Sequence, residues 1–305
     1  MTSLLFLIAC GGEPREAVST DPVVSATGDS GAPVEPPACP TFGEVEVMGA
    51  VTDAALTELS GLTRVGDLLW THNDSGGQPM VYGLSDVGAV VQRVVVGGAL
   101  SVDWEDITHR GDHLWVGDIG DNFAIREVVQ LYELPVPEDG QDAVESRLLR
   151  VSWPDGPVDS EALFADPISG DLLLMSKVVD GVVTVARVPE PDADPDEEAV
   201  ELEAVATVRF GEEGIGRTTL VTGADMSPDG RFVVVRTYLS AWAFPRIPGE
   251  PWADTFGREP CEVPVAGEGQ GEAITWDDAG VWTVSEGDAA PLHRVPVEAV
   301  PSGAR

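Results

Sequence analysis

The chain has 305 residues, with 53 acidic side chains against 17 basic ones, which gives a formal net charge of −36. A hydrophobic content of 43% and eight tryptophans supply enough apolar material for a large core, so wholesale disorder is excluded. Nucleic acids and anionic lipid surfaces are recognised by clustered lysine and arginine, and a chain this acidic is repelled from both. Metal cations, sugars and basic partners remain as candidate ligands.

The first ten residues form a short apolar run, MTSLLFLIAC, that ends in Cys10. This run resembles the lipobox of bacterial lipoprotein signal peptides, in which the cysteine becomes the lipid-modified first residue of the mature protein. Residues 11–40 are then dominated by Gly, Pro, Ser, Thr, Ala and Glu, a composition that cannot offset the entropy of ordering. We therefore expect a signal peptide with lipobox at 1–10, with a chance hydrophobic start as the alternative, and a disordered tether at 11–40. The folded body would be lipid-anchored in the cell envelope, in the periplasm or at the cell surface.

Two further cysteines, Cys39 and Cys261, remain once Cys10 carries lipid. Two cysteines allow a single pairing, and extracytoplasmic proteins can keep such a bond. The sequence therefore predicts a disulfide between them, with two unrelated thiols as the alternative. The bond would fasten the start of the folded body to a segment more than 200 residues later.

One unit recurs through the chain. Each copy has a short strand with an acid-small-apolar triplet, a Gly or Asp turn, an apolar strand with polar residues at its end, and a third strand carrying Tyr, Trp or Arg. The aligned apolar residues of the triplets are Leu62, Ile107, Leu163, Met226 and Ile274, at intervals of 45, 56, 63 and 48 residues. Four-stranded β-propeller blades of about 40–50 residues combine this spacing with short strands and tight turns. No long stretch has helical periodicity, which excludes a helical solenoid.

The repeats predict an all-β fold, a β-propeller of four-stranded antiparallel blades over residues 41–300, followed by a tail at 301–305. Five copies give five blades, and six is the alternative if the long interval between Leu163 and Met226 hides a degenerate copy. The last copy has three strands, and the alternating run from Phe42 to Met48 can supply a fourth. We expect this N-terminal strand to complete the last blade and close the ring, which removes an exposed sheet edge.

An acidic residue recurs once per copy near the start of the predicted innermost strand. The five are Glu58, Glu105, Glu161, Asp225 and Glu272. Innermost strands surround the propeller axis, so we expect five carboxylates to converge on one channel mouth. Like charges held together need a counter-charge, and a hard cation such as Ca²⁺ is the natural partner. The alternative is a structural role, in which each acid accepts hydrogen bonds from the backbone of the next blade.

A second set of polar side chains follows the second strand of each copy. Its members are Asn73, Asp74, Asp118, Asp121, Asn122, Lys177, Arg236, Tyr238, Ser285 and Glu286. Asn and Asp also favour turns for backbone reasons alone, but these residues occupy matching positions and include the only lysine of the chain. We expect a ligand-binding face with both signs of charge, suited to an anionic, phosphorylated or polyhydroxylated ligand beside a cation.

Other catalytic and metal-binding signatures are absent from the sequence. The four histidines show no zinc-ligand spacing beyond the pair His109 and His113, which is predicted to flank a hairpin turn. The chain has no G-x-S-x-G motif, no phosphate-binding Gly loop followed by Lys and Ser or Thr, and no C-x-x-C. The acidic run DADPDEE at 192–198 lacks EF-hand spacing, and we interpret it as a solvated insertion.

An ordered set of motifs carries a family resemblance. The motifs are DWEDI (103–107), GDIGDN (117–122), DSEAL (159–163), TGADMSPDG (222–230), RTY (236–238) and GEAI (271–274). Over residues 45–296 the chain resembles a family of uncharacterised secreted and lipid-anchored bacterial β-propellers, described as WD-repeat-like or phytase-like. The resemblance implies the fold and the location, and no activity that can be assigned to individual residues. A weaker likeness, through DWEDI and LWVGD, is to calcium-dependent nucleotidases, which are also five-bladed.

The leading hypothesis is a lipid-anchored, extracytoplasmic binding module with Ca²⁺ as its cofactor and a ligand over the channel mouth. One alternative is a metal-dependent hydrolase of phosphate or carboxylate esters, in which Lys177 and Arg236 hold the anion and a metal-bound water attacks. Another is a protein-interaction scaffold without a small ligand. We expect a monomer that binds no nucleic acid and meets the membrane only through its lipid anchor.

Overall fold

The computed structural model describes residues 34–194, 198–211 and 216–299. The predicted lipobox with Cys10, most of the predicted tether and the tail at 301–305 lie outside the described residues. Residues from Glu35 onward form one compact unit. No helix in the described part of the chain is long and apolar enough to cross a membrane.

The N-terminal strands and the first two blades occupy residues 41–152. Their strands are β1 (Thr41–Phe42), β2 (Glu46–Val51), β3 (Leu59–Val65), β4 (Leu68–Asn73), β5 (Met80–Leu84), β6 (Val90–Gly97), β7 (Trp104–Arg110), β8 (His113–Asp118), β9 (Val129–Pro135), β10 (Ala143–Glu145) and β11 (Arg147–Ser152). Blade 1 consists of β3 to β6, and blade 2 of β7, β8, β9 and β11. Glycines with positive φ, Gly66 at 57° and Gly111 at 62°, make the turn after the innermost strand of each blade, because residues with a side chain rarely adopt this conformation.

The other three blades occupy the rest of the chain. Their elements are β12 (Ser160–Ala165), β13 (Leu172–Ser176), β14 (Val182–Arg187), β15 (Val200–Glu201), β16 (Glu203–Arg209), α1 (Gly216–Thr219), β17 (Val221–Met226), β18 (Phe232–Thr237), β19 (Ala241–Pro245), α2 (Trp252–Phe256), β20 (Cys261–Val263), β21 (Gly271–Asp277), β22 (Gly280–Ser285) and β23 (Ala290–Ala299). Blade 3 consists of β12, β13, β14 and β16, blade 4 of β17 to β20, and blade 5 of β21 to β23 with the N-terminal strands. The described residues thus form the predicted all-β propeller with five blades. The described strands between Leu163 and Met226 belong to blades 2, 3 and 4, not to a sixth blade.

The N-terminal strands close the ring, as predicted. β2 pairs antiparallel with β23, with Glu46 opposite Arg294 and Val51 opposite Ala290, and β1 pairs with the end of the same strand. The main closing strand, β2, begins four residues later than the predicted run from Phe42, which itself lies in β1.

A disulfide joins Cys39 to Cys261, with the two Cα atoms 5.5 Å apart. This confirms the predicted pairing. Cys39 directly precedes the closing strands of blade 5, and Cys261 begins the outermost strand of blade 4. The bond therefore ties the point of ring closure to the neighbouring blade.

Blades 1 and 2 each carry a fifth, outer strand that the sequence did not predict. β10 lies before the last strand of blade 2 and pairs parallel with β6 of blade 1. β15 lies before the last strand of blade 3 and pairs parallel with β11 of blade 2. These added strands cover sheet edges and link each blade to its neighbour.

A buried carboxyl group joins the innermost strands of three blades. Asp106 on β7 is completely buried. One of its oxygens accepts a backbone hydrogen bond from Ile107 at 2.8 Å, and the other accepts from Leu163 at 2.9 Å and Ala224 at 3.3 Å. Burial raises the pKa of Asp106 well above its usual value, although these donors lower it. The side chain therefore links blades 2, 3 and 4 next to the axis.

Candidate functional site: an acidic channel mouth

Every innermost strand carries a bulge at the same position, where the pairing with the second strand skips one residue, or in β3 the two residues Ser60 and Gly61. The bulged residues are Ser60, Glu105, Glu161, Thr222 and Glu272. A bulge re-aims its side chain relative to the regular ladder. These five equivalent residues lie at the end of the propeller where the innermost strands begin, which we call the channel mouth.

Three of the five predicted acids occupy these bulges. Glu105, Glu161 and Glu272 are buried, with 4%, 4% and 5% of their surface exposed. Burial raises the pKa of Glu272 to about 9, with Glu161 adding to the effect. Glu58 lies two residues before its bulge, and it is exposed.

Asp225 is the predicted acid that lies away from the channel mouth. It comes three residues after the bulge at Thr222, so it lies toward the opposite end of the innermost strand. Its Oδ2 accepts hydrogen bonds from Thr275 Oγ1 at 2.5 Å and from the Trp276 backbone at 3.0 Å. The expected convergence of five carboxylates is therefore corrected for Asp225, whereas the exposed Glu58 lies near enough to the mouth to raise the pKa of Asp74. Asp225 instead accepts hydrogen bonds from the next blade, which is the structural role given above as the alternative to cation binding.

The only lysine of the chain is engaged at the channel mouth. Lys177 forms an ion pair with Glu161 and donates a hydrogen bond to the Tyr238 hydroxyl at 2.9 Å. Burial raises the pKa of Glu161 to about 8, against the opposing effect of Lys177. Burial lowers the pKa of Lys177, but contact with Glu161 outweighs this and the pKa is raised. The positive charge of Lys177, which was predicted to bind a ligand, is therefore already paired with a carboxylate of the protein.

Asp74, Asp103 and Glu105 form a cluster in which one ligand oxygen from each lies within 4.8 Å of the others. Burial is the largest cause that raises all three pKa values, and neighbouring carboxylates raise them further. The pKa of Asp74 rises to about 7. Glu105 has one long hydrogen bond, from Ser60 Oγ at 3.4 Å, and Asp74 Oδ1 is buried without a partner.

Gly120 lets the backbone approach this cluster. A Cβ at this position would lie 2.1 Å from Glu105 Oε1 and 2.5 Å from Asp103 Oδ2. Any larger residue would therefore displace the carboxylates. The glycine of the GDIGDN motif thus leaves room for two of the three clustered side chains.

Asp103 is a site residue that the sequence reasoning missed. It lies in the DWEDI motif, two residues before Glu105, but selecting one acid per copy passed over it. Asp159 holds the equivalent position in blade 3, two residues before Glu161. The signal that could have identified Asp103 is this second acid, which precedes the bulge at a constant spacing in both motifs.

Three residues of the predicted ligand-binding set hold loops in place. Asn73 donates to the Ala55 carbonyl at 2.6 Å and accepts from the Glu58 backbone at 3.2 Å. Asp118 accepts from Arg126 at 2.6 Å. Asp121 accepts from the backbone of the loop that follows it.

Arg236 lies inside the molecule, with 1% of its surface exposed. It pairs with Glu268 and donates to the Ala273 carbonyl at 3.0 Å, so it joins blade 5 to blade 4. Glu286 is partly buried at the channel mouth and accepts from Gln270 at 2.6 Å. Ser285 precedes it and donates to the Glu286 carbonyl at 2.7 Å.

A cavity of about 630 Å³ opens beside the channel mouth, and four of the predicted ligand-binding residues line it. They are Asp121, Asn122, Lys177 and Tyr238. Apolar side chains from Val178 and Leu220 form another part of the wall. The cavity thus combines polar groups near the acidic cluster with an apolar side.

A second cavity, of about 510 Å³, lies at the opposite end of the innermost strands and was not predicted. Its lining includes His109, Asp225, Arg64 and Arg110. Arg64 pairs with Asp277 at 3.0 Å and Arg110 with Asp192 at 3.0 Å. Both guanidinium groups of this cavity are therefore neutralised within the protein.

No protein-family model matches the chain, and no curated protein matches its sequence. Similar solved structures are β-propeller proteins. A PQQ-bound aldose sugar dehydrogenase from Streptomyces coelicolor is 12% identical, with 87% of this chain and 100% of that chain covered and a TM-score of 0.49. The Cps50 (Swd1) β-propeller domain of Myceliophteria thermophila is 12% identical, with 82% and 99% covered and a TM-score of 0.42. A glucose dehydrogenase is 7% identical, with 86% and 100% covered and a TM-score of 0.47. At these identities the likeness is one of fold alone.

Proposed function

We propose that the protein is an extracytoplasmic β-propeller that binds a divalent cation at its channel mouth and a ligand in the adjoining cavity. The observation that carries this proposal is the cluster of Asp74, Asp103 and Glu105, whose oxygens lie within 4.8 Å of one another. Carboxylates held this close in a partly buried place need either protons or a counter-charge. A bound cation supplies that charge without loss of the carboxylate form.

The chemistry of the cluster fits calcium. Ca²⁺ takes about 6–8 oxygen ligands at about 2.3–2.6 Å, so ligands on opposite sides of the ion are about 5 Å apart. Three carboxylates can supply up to six oxygens, and the cluster contains no nitrogen or sulfur ligand that would favour zinc. A bound ligand or water would supply the further oxygens that such an ion needs.

The binding role is better supported than the hydrolase alternative. That alternative needs Lys177 and Arg236 to hold an anion, but each is paired with a carboxylate, Glu161 and Glu268 respectively. A ligand with hydroxyl or anionic oxygens would therefore be held by the cation first. Tyr238 and Asn122 line the cavity and can add hydrogen bonds.

The proposed location rests on two features. The sequence around Cys10 resembles a lipobox, and the folded body contains the disulfide between Cys39 and Cys261. Disulfides persist in oxidising compartments, outside the cytoplasm. A lipid-anchored protein of the cell envelope accounts for both features.

Calorimetric titration of the purified protein with calcium chloride tests the cation site. We expect binding by the wild type, and its loss in Glu105→Gln, which removes a charge with little change in shape. Gly120→Ala should also lose binding while all three carboxylates are kept, because its Cβ would overlap Glu105 and Asp103. The exposed Glu44→Gln is the matched control and should bind like the wild type. Undiminished binding by Glu105→Gln, or none by the wild type, would overturn the proposal.

A further inference from the structure

Large apolar side chains are exposed on the face that carries the channel mouth. Phe123 and Ile125, in the loop between β8 and β9, are 83% and 73% exposed. Val102, Val179 and Leu239 are 52%, 74% and 45% exposed. Val102 lies in the loop that joins the fourth strand of blade 1 to blade 2. Val179 and Leu239 lie in loops that join the second strand of a blade to its third. Both kinds of loop emerge on the face of the channel mouth. Such a concentration of exposed apolar groups marks an interaction surface.

Hydrogen bonds and an ion pair hold the loop that carries Phe123 and Ile125. The Asp121 carboxylate accepts hydrogen bonds from the Ile125 backbone at 3.0 Å and the Arg126 backbone at 2.7 Å. The Arg126 side chain donates to the Gly120 carbonyl at 2.6 Å and pairs with Asp118. The exposed positions are therefore fixed from both ends of the loop.

The backbone between the two apolar residues is also in a disfavoured conformation. Ala124 has φ of 50°, a region that residues with a side chain seldom occupy. The hydrogen bonds of Asp121 and Arg126 maintain this conformation, and it turns Phe123 and Ile125 toward solvent. Apolar side chains on a backbone that is ordered before binding need no backbone ordering when a partner covers them, which lowers the entropy cost of binding.

The surroundings of these anchors are acidic. The cluster of Asp74, Asp103 and Glu105 lies beside the loop, because Gly120 at its start contacts two of these carboxylates. Glu127, at the end of the loop, is exposed, and the whole chain has a net charge of −36. Anionic membranes are repelled by such a surface, whereas a basic protein surface is attracted.

We propose that the channel-mouth face docks a protein partner that has an apolar pocket for Phe123 and Ile125, bordered by lysine and arginine side chains. The exposed apolar side chains and the local acidity both point to this chemistry. A single bound divalent cation leaves the surface negative, so docking does not depend on the cation site. The two proposals can therefore fail independently.

Photo-crosslinking in cells that produce the protein tests this inference. A photoreactive amino acid replaces Phe123 in the full chain, and in a matched control it replaces Val87, which is 57% exposed in the β5–β6 hairpin at the opposite end of the propeller. We expect a crosslinked protein from position 123 and none from position 87. The crosslinked peptide should be apolar, with lysine or arginine on either side.

Charge reversal provides the second arm. Glu127→Lys should remove most of the crosslinked product, whereas Glu138→Lys, the same change at an exposed residue of the β9–β10 connection, should not. Unaltered thermal melting of both variants shows that each is folded. Crosslinking to lipid, to another copy of this chain or to an acidic segment would overturn the proposal. So would the absence of a product from position 123, or equal yields from the two positions.

Discussion

Lys177 and Glu161 form a buried ion pair at the channel mouth, with side chains that are 10% and 6% exposed. Glu161 occupies the bulge of β12, and Lys177 follows the end of the paired strand β13. Glu161 thus has its own counter-charge, whereas Asp74, Asp103 and Glu105 lie close together with no ion pair among the described residues, and Glu272 lies outside that cluster. This division is why we place the cation site at Asp74, Asp103 and Glu105.

Removal of Lys177 alone should destabilise the protein strongly. Lys177→Met leaves Glu161 buried without its counter-charge, and breaking a buried pair in this way costs about 3–5 kcal/mol of unfolding free energy. The double variant Lys177→Met/Glu161→Gln removes both charges and should recover most of that loss. Urea denaturation measures both values, and a double variant no more stable than Lys177→Met would contradict the account.

The stability of the cation-free protein should fall as the pH rises. Burial raises the pKa of Glu272 to about 9 from its usual 4.5, with Glu161 and Glu286 adding to the effect and Lys177 and Arg236 opposing it. The folded state therefore keeps a proton that the unfolded state releases above pH 4.5. This contribution to stability is complete below pH 4.5 and is lost as the pH rises through 9.

Denaturation curves in chelator from pH 6 to about 10 measure this dependence, since the folded protein loses its extra proton over that range. Glu272→Gln cannot ionise, so its stability should depend less steeply on pH than that of the wild type. The exposed Glu44→Gln serves as the control and should follow the wild type. Parallel pH profiles for Glu272→Gln and the wild type would show that Glu272 titrates normally.

Asp106 should contribute to the stability of the folded ring, because it joins three blades near the axis. Asp106→Asn replaces one acceptor oxygen with a donor, so at least one of the three backbone N–H groups facing it loses its acceptor. A buried donor left unpaired costs about 1–3 kcal/mol. Thermal or urea unfolding should show that loss, and the exposed Asp67→Asn should show none. A fully stable Asp106→Asn would mean that this junction of three blades is not important for stability.

Loss of the disulfide should loosen ring closure. Cys39 and Cys261 are 222 residues apart in sequence, and a crosslink across so long a segment restricts the unfolded chain substantially. We expect Cys39→Ser/Cys261→Ser to lower the unfolding free energy by about 2–5 kcal/mol. A reductant should destabilise the wild type and leave the double variant unchanged. Equal melting temperatures for wild type and variant would rule out this role.

The fold could be predicted because a propeller repeats itself. Each blade must bury its own sheet against the next one, so the strand and turn pattern recurs at blade length, and Leu62, Ile107, Leu163 and Ile274 lie in equivalent positions. Ring closure followed from the missing strand of the last blade. The added strands β10 and β15 could not be predicted, because two or three residues pairing at a sheet edge leave no periodic signal.

The site was predicted in part, because a one-residue bulge is invisible in the sequence. The triplet of blade 4 was aligned on Met226, whereas the strand pairing makes Ala224 the equivalent of Ile107. The error moved Asp225 into the predicted ring in place of Thr222. Arg236 was placed on the ligand face because the sequence does not show that Glu268 meets it inside the molecule.

The most direct test of the central claim is an anomalous difference map from crystals of the protein grown in calcium chloride. The account predicts a peak bound by oxygens of Asp74, Asp103 and Glu105 at about 2.3–2.6 Å. A well-ordered channel mouth with no peak at these three residues, or calcium bound only elsewhere in the molecule, would contradict it.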